Sequence, residues 1–143
     1  MKINGVKIFD LKVIRNSKGD ILKFLSKKNK FFRGFGEVYF SEIKNQKTKG
    51  WNFHKKNTCI ITVPFGAVIF HLIDGRKKSN TFNQELKVLI SKKKFKVLVI
   101  PPGIWFAFKS LNAISIITNF SNKIHSKIES KKSDIIKNIK IPN

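Results

Sequence analysis

Turn-forming residues break this chain roughly every eight to twelve positions, and that spacing narrows its possible folds more than any other feature. The breaks are Asn16-Ser17-Lys18-Gly19-Asp20, the polar stretch 45–50, Pro64-Phe65-Gly66, Asp74-Gly75, Lys92-Lys93-Lys94 and Pro101-Pro102-Gly103. Between them lie short runs rich in β-branched and aromatic residues: 5–14, 21–25, 37–43, 59–63, 67–73, 84–90, 95–100, 105–108 and 113–118. Such runs satisfy a pleated strand and are too short for helices with a buried stripe. Without long helical patterns between them, the strands predict an all-β sandwich or barrel and argue against a parallel α/β sheet. No linker, repeat or low-complexity block divides residues 1–143, so one domain is expected. Beyond Ser121 the chain turns polar. Residues 126–143 are expected to form a C-terminal arm, loose or briefly helical.

A chain of 143 residues buries roughly two-thirds of its unfolded surface and can hold a core without staples. Hydrophobic residues make up 41% of it, too many for a disordered basic tail. Lys and Arg number 30 against 8 Asp and Glu, a net charge of +22. Only Arg15, Arg33 and Arg76 are arginine, the residue that grips phosphate and bases in two-pronged fashion. The lysines are spread along the whole chain, as A/T-rich codon usage on a solvated surface would spread them. This argues against a nucleic-acid partner and leaves room for a smaller anion such as a nucleoside diphosphate. The lone Cys59 excludes a disulfide framework and a multi-cysteine zinc site. The first residues carry no apolar run of signal-peptide type, and no stretch of ~18 apolar residues spans a membrane. A cytoplasmic protein is expected.

The densest group of chemically useful residues is Lys49-Gly50-Trp51-Asn52-Phe53-His54-Lys55-Lys56. On a strand, Asn52 and His54 share one face, and an imidazole on an inner face suits proton transfer near neutral pH. A satisfied structural histidine is the alternative. Glu37, Tyr39 and Ser41 also share a face, either lining the interior or left in solvent by Val38 and Phe40. A metal site fails on counts, because Asn52 stands where a first histidine would pair with His54, and His71 and His125 lie elsewhere. Cys59 sits among Thr58, Ile60 and Ile61 like a structural thiol, and there is no glycine-rich phosphate loop.

Four segments, in order, resemble the dTDP-4-dehydrorhamnose 3,5-epimerase family, a cupin family of nucleotide-sugar enzymes. Ser17-Lys18-Gly19 is similar to its Asp-x-Arg-Gly turn, and Lys49-Gly50-Trp51-Asn52 to its Arg-Gly-Leu-His motif. The stretch from Asp74 to Phe82 is similar to its Asp-x-Arg-x-x-Ser-x-Thr-Phe segment, and Ile100 to Phe108 to its Ile-Pro-x-Gly-Phe-Ala-His-Gly-Phe segment. Gly50-Trp51-Asn52-Phe53-His54-Lys55 also matches a subgroup with Gly-Trp-His-x-His-Lys. The resemblance covers residues 5 to 125. It implies a jelly roll (double-stranded β-helix), no cofactor or metal, a nucleotide-diphosphate sugar as ligand and a homodimer, with residues 5–14 and Phe31-Phe32 as contacts. The implied chemistry is proton transfer beside a 4-keto group in polysaccharide biosynthesis: a histidine base, a lysine at the enolate oxygen and a tyrosine acid on the opposite face.

The chain departs from that pattern. The base position holds Asn52, the lysine falls at Cys59, the second histidine is Phe106, and the region of the tyrosine carries Ile124 and His125. Under an enzyme reading, His54 becomes the base and Tyr39 or His125 the acid. Lys18, Glu37, Lys49, Asn52, Lys55 and Arg76 become the substrate contacts, with Lys49 or Lys55 near the oxyanion. The other reading is a catalytically silent cupin that binds a nucleotide sugar or acts as an accessory protein.

Overall fold

The computed structural model describes residues 2–133, so the part of the expected arm beyond residue 133 lies outside the described residues. The strands are β1 (Lys7–Asp10), β2 (Val13–Ile14), β3 (Ile21–Leu22), β4 (Glu37–Lys44), β5 (Thr48–His54), β6 (Cys59–Phe65), β7 (Ala67–Asp74), β8 (Glu85–Ser91), β9 (Lys96–Ile100), β10 (Ile104–Ser110), β11 (Ile114–Ser121) and β12 (Ser130–Lys132). One sheet runs β1-β9-β6-β11-β4, the other β12-β5-β10-β7-β8, and β2 and β3 form a separate hairpin. All-β sheets facing each other in this order form a jelly roll. No helix among the described residues is long and apolar enough to cross a membrane.

Alternation along the strands builds the core. Ile61 and Val63 of β6, Phe70 and Leu72 of β7, Leu98 of β9 and Phe106 of β10 meet between the sheets. Pro64 does not end β6 as its neighbours in sequence suggest. It falls where the β6–β11 register slips between Ile116 and Thr118, and such a bulge tolerates a residue that cannot donate to the ladder. Phe31 and Phe32 pack within the chain over the outer face of the first sheet. Phe31 stacks on Phe9 with centroids 5.2 Å apart, and Phe32 lies against Phe120.

The segment 126–133 is neither helical nor loose. After a turn, β12 pairs with β5, setting Ser130 opposite His54 and Lys132 opposite Asn52. We call residues 122–133 the strap. Thr58 N–H donates to Asn122 Oδ1 at 2.8 Å, and Trp51 and Ser133 exchange backbone hydrogen bonds. Polar composition misled here because β12 joins β5 through main-chain bonds, which carry no side-chain signature.

The segment from Asp74 to Thr81 is an internal staple. Asp74, fully buried, accepts from Arg76 Nε at 2.8 Å and Nη2 at 2.7 Å, and from the hydroxyls of Ser79 and Thr81. Arg76 also donates to the Asn4 carbonyl and so pins the N-terminal segment. Burial works to raise the Asp74 carboxyl, but the donors from Arg76, Thr81 and Ser79 outweigh it and hold it well below the usual carboxylate range.

Candidate functional site

The two sheets and the strap enclose a cavity of about 680 Å³. The first sheet contributes Glu37, Tyr39 and Ser41 from β4, with Ile61, Ile117 and Asn119 behind them. The second contributes Lys49, Gly50, Asn52 and His54 from β5, and Phe106 and Phe108 from β10. The strap supplies His125, Ser130 and Lys132. Both face assignments left open by the sequence are decided: Asn52 and His54 look inward, and so do Glu37, Tyr39 and Ser41. Phe40 is instead 72% exposed on the outer face. Gly50 is demanded by proximity, since a Cβ there would lie 2.7 Å from the Ala107 backbone on β10.

His54 is the best-positioned group in the cavity. Its ring lies near-parallel to Phe106 and edge-on to His125, with centroids 6.0 and 6.3 Å away. Its Nδ1 meets Glu129 Oε2 at 2.8 Å, and the two side chains are only 12% and 10% exposed. Glu129 Oε1 accepts the backbone N–H groups of Lys56 and Asn57, each at 3.0 Å. Burial pushes the Glu129 carboxyl up, but the bonds from His54 and the two amides bring it below its ordinary value, so it is ionised at neutral pH. When Nδ1–H is donated to that carboxylate, Nε2 is the ring nitrogen left to face a ligand.

Tyr39 projects from the opposite sheet. Asn119, its directly paired neighbour on β11, donates Nδ2–H to the Tyr39 hydroxyl at 2.6 Å. Burial raises the phenol above its ordinary value, so it stays protonated at neutral pH. Lys49 Nζ donates to Ser41 Oγ at 3.0 Å, and the His125 amide donates to Glu37 Oε1 at 3.0 Å, tying strap to β4. Cys59 lies beneath this wall, its thiol pushed up to about 12 chiefly by burial.

Of the residues singled out in the sequence, His54, Tyr39, His125, Glu37, Lys49 and Asn52 line the cavity. Lys18, Lys55 and Arg76 do not. Lys18 sits in the turn between β2 and β3, Lys55 donates to the Ile128 carbonyl at 2.7 Å, and Arg76 is committed to Asp74. Sequence reasoning missed Glu129, Lys132 and Asn119. The first two lie in the polar tail, where no pattern marks them. Asn119 could have been found by continuing the alternation from Ile117 on β11. The fold also gathers His54, His125 and Glu129 with donor atoms within 4.8 Å of one another, a grouping that spacing along the chain does not reveal. Both Glu129 oxygens are already engaged with N–H donors, which is the arrangement of an oriented imidazole.

Comparison with known proteins places this geometry. The family model described as dTDP-4-dehydrorhamnose 3,5-epimerase matches residues 1–138. A dTDP sugar isomerase from Desulfovibrio desulfuricans G20 is 29% identical, with a TM-score of 0.89 over 92% of this chain and 85% of that one. A dTDP-6-deoxy-D-glucose-3,5-epimerase from Legionella pneumophila Philadelphia 1, solved with dTDP-4-keto-L-rhamnose, is 19% identical, with a TM-score of 0.84 over 92% and 74%. A dTDP-4-dehydrorhamnose 3,5-epimerase from Bacillus anthracis Ames, holding TDP and pyrophosphate, is 21% identical, with a TM-score of 0.82 over 92% and 82%. The last two likenesses speak for the fold alone. No curated protein matches the sequence.

Proposed function

The chain belongs to the dTDP-4-dehydrorhamnose 3,5-epimerase family, an isomerase family, and from that premise we propose that it moves protons beside the keto group of a nucleotide-linked 4-keto-6-deoxyhexose. The observation that carries the proposal is the held imidazole: His54 Nδ1 on Glu129 at 2.8 Å, with the ring facing the cavity. A neutral imidazole whose second nitrogen is fixed by a carboxylate is a base suited to neutral pH. His54 accepts the proton α to the ketone, and the electron pair flows into the carbonyl to leave an enolate. Tyr39 stands on the facing sheet and returns a proton to the opposite face of the carbon. Two proton-transfer groups on opposite walls are what inversion requires, and the step needs no redox change. His125 flanks His54, its ring edge-on with centroids 6.3 Å apart.

The test is isotopic. Incubated with dTDP-4-keto-6-deoxyglucose in D₂O, the protein is expected to place deuterium on carbon, read by NMR. Absence of exchange above buffer across several 4-keto sugars would defeat the enzyme reading. By the resemblance, Asn52 and Cys59 fall where a histidine base and a lysine are expected, and that supports a second reading, a silent nucleotide-sugar binder. That reading expects dTDP to bind while no carbon-bound hydrogen exchanges.

We also propose that two copies associate and act in the cytoplasm on polysaccharide precursors. Support for association comes from the outer face beside β4, where Phe35, Phe40 and Phe65 are 69%, 72% and 58% exposed.

A further inference from the structure

Taking a proton from carbon beside a ketone drives negative charge onto the carbonyl oxygen, and a site that excludes water must meet that charge with fixed donors. His54 and Tyr39 are occupied with protons and supply no such donor. Among the described residues, two cations line the cavity, Lys49 and Lys132. Lys49 is already bonded to Ser41 on the opposite sheet. Lys132 stands on β12 directly opposite Asn52 of β5. Directly opposed residues of an antiparallel pair project to the same face, with Cβ atoms ~5 Å apart. Both side chains line the cavity, so an ammonium and an amide flank one region of its wall.

That region lies at the right distance from the base. Asn52 precedes His54 by two residues on one strand, a separation of ~7 Å. A base about 3 Å from the reacting C–H, and donors about 3 Å from the carbonyl oxygen, stand roughly 7–8 Å apart across the C–C=O unit. An amide cannot accept the substrate proton, but its N–H₂ can donate.

We infer that the Asn52 amide and the Lys132 ammonium together form the oxyanion site of the reaction, an inference that rests on His54 as the base. The C–H proton passes to His54 Nε2 and its electron pair becomes the enolate C=C bond. The carbonyl π pair moves onto oxygen, which accepts hydrogen bonds from Asn52 Nδ2 and Lys132 Nζ. Protonation of carbon by Tyr39 then restores the ketone, and the proton held by His54 returns to the Tyr39 phenolate through solvent. Lys132 lines the cavity and is exposed, so its ammonium is open to a ligand entering there.

The experiment compares the wild type with Lys132→Met, Lys132→Arg and Asn52→Leu. Each is followed by deuterium exchange into dTDP-4-keto-6-deoxyglucose and by calorimetric binding of dTDP, which has no ketone. Circular dichroism melts check that each variant folds. Lys132→Met is expected to lower kcat by about 10²- to 10³-fold and to leave the dTDP Kd within about twofold. Lys132→Arg is expected to restore part of the rate. Asn52→Leu is expected to lower kcat, and the Met/Leu double variant to lose less than the product of the two single effects. A Lys132→Met variant with unchanged kcat overturns the inference. If its KM and dTDP Kd rise, the lysine holds diphosphate instead. A wild type that exchanges no hydrogen overturns the proton-transfer reading and this inference with it.

Discussion

Replacing Glu129 by Gln changes one atom and should separate the chemistry of His54 from its packing. Glu129 accepts three hydrogen bonds: from His54 Nδ1 at 2.8 Å, and from the Lys56 and Asn57 amides at 3.0 Å each. A glutamine keeps its carbonyl oxygen for the two amides, which hold it in one orientation, and turns its N–H₂ toward His54. Nδ1 must then accept, so the ring proton moves to Nε2 and the nitrogen facing the substrate can no longer take a proton. The stability cost is that of exchanging a charge-assisted bond for a neutral one, about 1–2 kcal/mol. For a domain of this size that is a Tm loss of roughly 3–6 °C. The rate cost is far larger, because an imidazole held in the wrong tautomer loses on the order of 10³- to 10⁴-fold. The assay pairs a calorimetric melt with NMR-detected deuterium exchange into dTDP-4-keto-6-deoxyglucose. Exchange within about threefold of wild type, in a variant that melts a few degrees lower, would refute the reasoning and demote Glu129 to a fastener of the strap.

Two further outcomes follow from the fold. Breaking the buried Arg76–Asp74 pair with Arg76→Met should cost about 3 kcal/mol in denaturant unfolding, the low end for such a pair because the Arg76 side chain keeps 30% exposure. The Asp74 carboxyl is depressed in the folded state, so its stabilisation is complete above the unfolded carboxylate value near ~3.9 and is lost as pH falls toward the folded value. Wild-type stability should therefore decline below about pH 4, and more shallowly in Arg76→Met; equal acid slopes would count against the staple. Phe40→Glu on the 72% exposed outer face should shift sedimentation from dimer to monomer without altering the melt of the monomer. An unchanged sedimentation coefficient would remove β4 from the interface.

The strands were legible because period-2 alternation and β-branched residues declare themselves: 37–43, 67–73 and 84–90 each fall within about a residue of β4, β7 and β8. Turn residues set most of their limits, but a bulge absorbed Pro64, and Thr48, Lys49 and Gly50 of the polar stretch 45–50 belong to β5. The inward face of β4 was not legible, because Val38 and Phe40 are as apolar as core residues, and only the placement of the second sheet opposite β4 selects Tyr39 for the cavity. The strap was invisible for a related reason. Its three-residue strand is held by the backbone, and Glu129 reaches its partner across 75 positions of chain. The Asp74 segment misled differently. A motif that reads as phosphate-binding by its arginine is spent on an internal carboxylate, which composition cannot distinguish from a ligand contact.

On the proposed reading, with His54 as the base, proton abstraction starts two residues along β5 from Asn52. A two-residue step on a strand preserves the face and displaces the group ~7 Å along it, more than the width of a pyranose ring. A base so displaced cannot serve a sugar held where an Asn52-positioned base would need it. On that reading the reacting carbon lies toward the His54 end of β5, where Ser130 of the strap stands opposite and His125 flanks the ring. The rest of the cavity is consistent with that displacement. Phe106 and Phe108 form an apolar floor beside His54, and the carboxylate partner comes from the strap. The strap thus supplies the base's partner, the sugar's neighbour and a cation from one segment.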